Sequence, residues 1–229
     1  MMVAIHQPQY LPWLGYIDKI DRSDSFVILD SVQFKKNEWQ NRNRIKSARG
    51  WQWLTVPVLH RHPEKIRDVR INNAVDWRRK HLQALEINYS RAPYFQDYIP
   101  FFRDLYGRTW ERLAVLNQTV IQFLIEAFGI NSRVVMASDT NAREEPTDRL
   151  IDICRTVGAD TYLAGDGSRN YLDSARFEKE KIRVLFQSFH PPAYEQLYGP
   201  FEPGLSAVDL LFNCGSQSLS ILRKGRGVS

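Results

Sequence analysis

The chain has few of the residues that mark stapled or redox-active proteins. Among 229 residues there are two cysteines, Cys154 and Cys214, and they are too far apart to form a CxxC pair. A disulfide framework or a Cys-based zinc site is therefore not expected, and no metal ligands are assigned. A reducing cytoplasm is the expected compartment. No apolar run approaches the ~20 residues needed to cross a bilayer, and the first residues, MMVAIHQPQYLPW, have no basic flank and no signal-like stretch. Membrane insertion is not expected. The sequence has no internal repeat and no low-complexity tract. Charge of one sign is also in short supply, with 31 Lys and Arg against 26 acids and a net charge of +5. That is too mild to call for nucleic acid, and Arg-rich loops bind small phosphorylated ligands through the same fork geometry.

Hydrophobic residues make up 43% and charged residues 25%, the balance of a globular chain. Aromatics reach 12%, and many sit beside Pro, Gly, Asn and Arg, outside the regular apolar runs. Rings in such places suit a lined pocket.

Hydrophobic periodicity predicts strands at residues 2–5, 25–29, 51–59, 69–71, 133–137, 161–164 and 182–186. Helices are predicted at 13–20, 76–89, 94–106, 109–128, 146–157 and 205–212. Strand, helix and strand within the first thirty residues have the size of a βαβ unit. Alternation of the two predicts an α/β fold with a mainly parallel, Rossmann-like sheet. Residues 1–75 are expected to form an N-terminal α/β half and 76–130 a helical insertion or subdomain. Residues 131–229 would complete the sheet.

Four stretches carry residue types suited to chemistry. His6 ends the first predicted strand, where open sheets bind ligands, and is followed by Gln7, Tyr10 and Trp13. A histidine there is a candidate general base; the alternative is a hydrogen-bonded structural residue. Asp30 ends the second strand and precedes Gln33, Lys35, Trp39, Asn41, Arg42, Asn43 and Arg44. Alternating amides and guanidinium forks suit phosphate and sugar hydroxyls, although a solvated basic turn would also read this way. Gly165 and Gly167 directly follow a strand and allow close backbone approach, with Tyr171 beyond them. The third glycine of a dinucleotide fingerprint is replaced by Asn170, so no dinucleotide cofactor is expected. Ser206 and Asp209 have the spacing of a capping box that opens the last helix. Asp209 and Asn213 are further binding candidates there, and Cys214 becomes a nucleophile only if a histidine lies beside it.

Together these stretches resemble the WbqC-like family. The residues that carry the likeness are HQPQYLPWLGYIDKI, SDSFVILDSVQFKKNEWQNRNRIK, WLTVPV, GADTYLAGDGSRNYLD and FEPGLSAVDLLFNCG, in order over nearly the whole chain. The family's members are found in bacterial O-antigen and other surface-polysaccharide gene clusters, and a glycine or aminoacyl transferase role has been proposed for some. The family more commonly has paired glycines near Gly165, where Asp166 and Ser168 intervene here. The segment Gln7-Pro8-x-Tyr10-x-x-Trp13 is also similar to the QPxHxGH region of HIGH-type nucleotidyltransferases, with Tyr10 and Trp13 where both histidines should stand.

The resemblance implies an acyl or aminoacyl (glycyl) transferase acting on the amino group of a nucleotide-linked sugar. His6 and Asp30 are then the catalytic candidates and an acyl carrier protein thioester a candidate donor. A nucleotidyltransferase requiring Mg²⁺ and a nucleoside triphosphate is the alternative. A non-catalytic binder of a nucleotide-sugar or an acyl carrier is the third reading.

Overall fold

A computed structural model describes residues 1–169 and 172–227. Its centre is a five-stranded sheet of β1 (Met2–His6), β2 (Ser25–Ile28), β7 (Arg133–Met136), β8 (Thr161–Ala164) and β9 (Arg183–Phe186). The spatial order is β7-β2-β1-β8-β9 and every neighbouring pair is parallel, with Ala4 opposite Phe26 on one side and opposite Leu163 on the other. The expected Rossmann-like α/β fold is present.

The strands are nearly continuous apolar runs because both faces are covered. Alternate residues divide between the faces, as the two-residue repeat requires. Ala4, Phe26, Ile28 and Leu163 join one core with Leu14, Ile17 and Ile20 of α1 (Leu14–Asp21). Val3, Ile5, Val27 and Ala164 face the other core, with Ile151 and Cys154 of α5 (Pro146–Thr156) and Phe177 of α6 (Ser174–Lys179). Cys154 is a fully buried core residue there.

Two antiparallel hairpins and three helices separate β2 from β7. The first hairpin pairs β3 (Arg42–Ser47) with β4 (Gly50–Thr55), and the second pairs β5 (Val58–Leu59) with β6 (Arg70–Ile71). The single strand expected over residues 51–59 is split. Val56 turns its amide to the Asn41 carbonyl, and Pro57 supplies no donor to continue the ladder. Then come α2 (Trp77–Tyr89), α3 (Phe95–Gly107) and α4 (Leu113–Phe128), the last closed by Gly129 in the left-handed region at φ 69°. This last helix starts later than its periodicity suggests, because Arg112 is extended and the Leu113 amide is held by the Val69 carbonyl. These helices share the α1-side core with α7 (Ala207–Cys214) and, through Leu222, with α8 (Ser218–Arg223).

The connections decide where a ligand can enter. From β1 the chain steps outward to β2 and β7, then crosses back to β8 on the opposite side of β1. Helix α1 lies on one face of the sheet and α5 on the other, so their loops part above β1 and β8. This reversal of strand order opens a crevice at the carboxyl ends of those two strands.

Candidate functional site

The crevice is a real cavity. His6, Lys19, Gly165 and Gly167 line two adjoining lobes, of ≈ 350 Å³ on the side of Trp13, Tyr16 and Arg169 and ≈ 520 Å³ on the side of Gln7, Arg149 and Ser168. Such volumes fit small-molecule sites.

His6 sits here because it is the last residue of β1. Its Nδ1 lies 3.0 Å from the Gln7 carbonyl oxygen. A carbonyl can only accept, so Nδ1 carries the proton and Nε2 keeps the basic lone pair. Tyr16 packs against the imidazole edge-on at 5.0 Å. Burial, aided by the nearby charge of Lys19, lowers the His6 pKa to about 3 and keeps the ring neutral at physiological pH.

Lys19 is the unexpected member. It follows Tyr16 by three residues on α1 and so shares its side of the helix. It is 3% exposed, and among the described residues no carboxylate pairs with it. Desolvation brings its pKa down to about 8. A side chain at Gly165 would place its Cβ 3.2 Å from Lys19 Nζ, so the glycine leaves room for the ammonium.

The rest of the wall holds these groups in place. Gln187 donates to the Gly15 carbonyl and to Asp18, both at 2.8 Å, and Arg226 donates to the other Asp18 oxygen at 2.7 Å. The chain around Arg226 pairs with the segment from Ser188 to His190, which rims the cavity. After β8 the loop is closed by the Ser168 amide and hydroxyl, both donating to the Gly165 carbonyl.

The structure divides the expected site residues among several places. Gln7, Trp13, Gly165 and Gly167 join His6 in the crevice. Asp30 is buried and accepts from the Ser138 amide at 2.9 Å, so the Gln7 carbonyl, not this carboxylate, orients His6. Tyr10 is fully buried, its hydroxyl 2.8 Å from His81 Nδ1 and 2.5 Å from the Tyr106 hydroxyl. Asn41 and Asn43 point inward and donate to the carbonyls of Val56 and Leu11. Gln33 contacts His62 at the surface, and Lys35 is exposed. Asp209 lies inside the fold, accepting from Tyr89, Tyr194 and Gln196. Ser206 caps α7, but Asp209 does not complete a capping box because those three donors hold it. Asn213 donates to the Asp209 carbonyl within α7. The Cys214 thiol has its pKa raised by burial and by nearby acids, the reverse of an activated nucleophile. Tyr171 lies outside the described residues.

Trp39, Arg42 and Arg44 form a second opening on the outward face of the β3–β4 hairpin, together with Trp51 and Trp53. It has a volume of ≈ 420 Å³ and shares no lining residue with the crevice. Among the described residues, no group of three or more His, Cys, Asp or Glu is arranged to hold a metal ion. None of the described helices is long and apolar enough to cross a membrane.

The profile of the WbqC-like protein family matches residues 7–221. The chain belongs to the WbqC-like family. A relative from Mycobacterium tuberculosis (strain ATCC 25618 / H37Rv), named "Uncharacterized protein Rv1507c", is 38% identical over 225 residues, covering 96% of this chain and 97% of that protein. No solved structure matches. The pair that dominates the crevice of this WbqC-like chain escaped the sequence reading in one half. Lys19 was not among the expected site residues, but every residue from Leu14 to Ile20 is buried. Nothing in the sequence around Lys19 signals this, because the enclosure of α1 comes from the tertiary packing.

Proposed function

We propose that this WbqC-like chain is a transferase in surface-polysaccharide biosynthesis, passing an acyl or aminoacyl group to the amino group of a nucleotide-linked amino sugar. The observation behind it is a neutral imidazole and an uncompensated ammonium lining one crevice. Both serve acyl transfer: a base takes the proton of the attacking amine, and positive charge stabilises the oxyanion of the tetrahedral intermediate.

The amine nitrogen attacks the carbonyl carbon of an acyl thioester, whose electrons move onto oxygen beside Lys19. As the C–N bond forms, the nitrogen becomes acidic enough to pass a proton to His6 Nε2. The intermediate collapses, the C–S bond breaks, and the thiol leaves with that proton. Because His6 is a weak base in this setting, the acceptor amine must enter uncharged. The Lys19 ammonium lining the same crevice favours that form, because like charges disfavour each other. No metal is required for these steps, and Gly165 and Gly167 let the substrate approach the backbone closely.

The test is a mass-spectrometric assay of purified protein with an acyl or glycyl thioester and a uridine-diphosphate amino sugar. Wild type should give an amide-linked product. His6→Ala should be slower by roughly 10²–10⁴-fold, the usual worth of a positioned base. A His6→Ala variant working at the wild-type rate, or no amide product across a panel of thioester donors, would overturn the proposal.

A further inference from the structure

The β3–β4 hairpin has an outward face that the transfer chemistry leaves unused. Strand register places Arg44 directly opposite Trp53, with Arg42 and Trp51 on the two diagonals. The inward positions, Asn43, Ile45 and Leu54, are buried and anchor the hairpin to the body of the protein. The outward residues stack on one another. The Arg42 guanidinium carbon lies 4.3 Å from the Trp53 ring centre, and that of Arg44 lies 5.0 Å from Trp51. Trp39 and Trp51 each stand 5.7 Å from Trp53, with Trp51 nearly perpendicular to it. All three indoles remain between 38% and 40% exposed.

Two features point to a ligand. The first is charge without a partner. Among the described residues Arg42 makes no ion pair and no side-chain hydrogen bond, and Arg44 makes one, to the Gly204 carbonyl. The buried Nε atoms of both are unpaired, and unmet buried donors carry a cost. The second is shape. The rings line a concave groove of ≈ 420 Å³, the size of a compact ligand and not of a bilayer surface or a long strand. Glu38, which also lines the groove, forms no ion pair with either arginine.

We infer that this groove binds a nucleoside phosphate, its base stacked on the indoles and its phosphate held by the forks of Arg42 and Arg44. Aromatic faces accept any base, and guanidinium forks match phosphate oxygens in pairs. The inference rests on the nucleotide-linked acceptor proposed above and assigns the nucleotide half to the hairpin, apart from the crevice where the amine reacts.

Calorimetry and tryptophan quenching with uridine monophosphate, with no acyl donor present, test it. Uridine monophosphate should bind and quench, while uridine and inorganic phosphate alone bind at least tenfold more weakly. Trp53→Ala and Arg42→Gln should each weaken binding by about tenfold or more, as expected for losing one stacked ring or one charged fork. Trp53 is exposed and Arg42 half-buried, and circular dichroism checks that the variants fold. His6→Ala should bind the nucleotide like wild type, so lost turnover and lost binding are read separately. No binding, or wild-type binding in both hairpin variants, would overturn the inference. Equal binding of glucose 1-phosphate would remove the base-stacking role. Tighter binding of a single-stranded oligonucleotide or of anionic vesicles would replace the small ligand with a larger partner.

Discussion

Lys19→Met removes an ammonium that folding places in the crevice without a carboxylate, and the stability it releases can be worked from its titration. The group has a pKa near 10.5 in the unfolded chain and about 8 in the fold. A lowered lysine pKa means that the folded state binds the proton more weakly than the unfolded state. Above pH 10.5 neither state is charged and the group costs nothing. Between 10.5 and 8 the penalty grows as pH falls, and below 8 it is fully present. A gap of about 2.5 pH units corresponds to roughly 3 kcal/mol at ~1.36 kcal/mol each. Methionine is also unbranched and adaptable, so the packing of the stem is largely kept. At pH 7 the variant should be more stable by about 2–3 kcal/mol, a rise in Tm of roughly 5–10 °C for a chain of this size. Urea titrations followed by tryptophan fluorescence at pH 7, 8.5 and 10 provide the measurement. The advantage of the variant should shrink steadily toward pH 10, while acyl transfer is lost. A variant less stable than wild type at pH 7, or an advantage that does not change with pH, would refute the reasoning. Residues placed for function at a cost to stability behave in this way.

Other buried polar groups give further expectations. His81 is buried beside Tyr10, and desolvation lowers its pKa from 6.5 to about 3. The unfolded chain therefore takes up a proton below pH 6.5 that the folded chain refuses, and stability should fall by about 1.4 kcal/mol per pH unit from this residue alone. His81→Phe should flatten that slope in urea titrations between pH 6 and 4.5; an unchanged slope would contradict it. Asp209→Ala leaves two tyrosine hydroxyls and an amide without their acceptor, and should cost about 3 kcal/mol or more. Calorimetric melting measures this, and a loss under 1 kcal/mol would show that water replaces the carboxylate. Arg226→Ala should lower stability by about 2 kcal/mol, because Asp18 is fully buried and loses a charged donor. A melting temperature unchanged from wild type would contradict that.

The sheet was legible in the sequence because its strands are short apolar runs, and each of the five was expected within about a residue of its place. The location of the crevice was legible for the same reason, since His6 and Gly165 are where two of those strands end. Of the hairpin, only its second strand, β4, was expected. Its strand β3 reads Arg-Asn-Arg-Ile-Lys-Ser, and its inward side is satisfied by Asn43 through a hydrogen bond to Leu11, so the two-residue repeat appears in charge and size and not in hydrophobicity. Asn41 and Asn43 looked like sugar ligands because an amide that serves a carbonyl inside the fold has the same chemistry. Asp209 was misleading in a similar way, because its spacing to Ser206 fits a cap while its carboxylate is held by side chains distant in sequence. Lys19 depended on how completely α1 is enclosed, which only the tertiary packing determines.

Gln7 makes two hydrogen bonds of different consequence. Its carbonyl fixes which nitrogen of His6 carries the proton, and its side-chain oxygen accepts from Gln40 at 2.7 Å, next to Trp39. One residue thus lines the crevice and holds the chain neighbour of Trp39, which lines the groove. The Gln40 amide therefore helps to fix the chain at the end of β1, so the rim of the groove and the wall of the crevice rest on one shared contact.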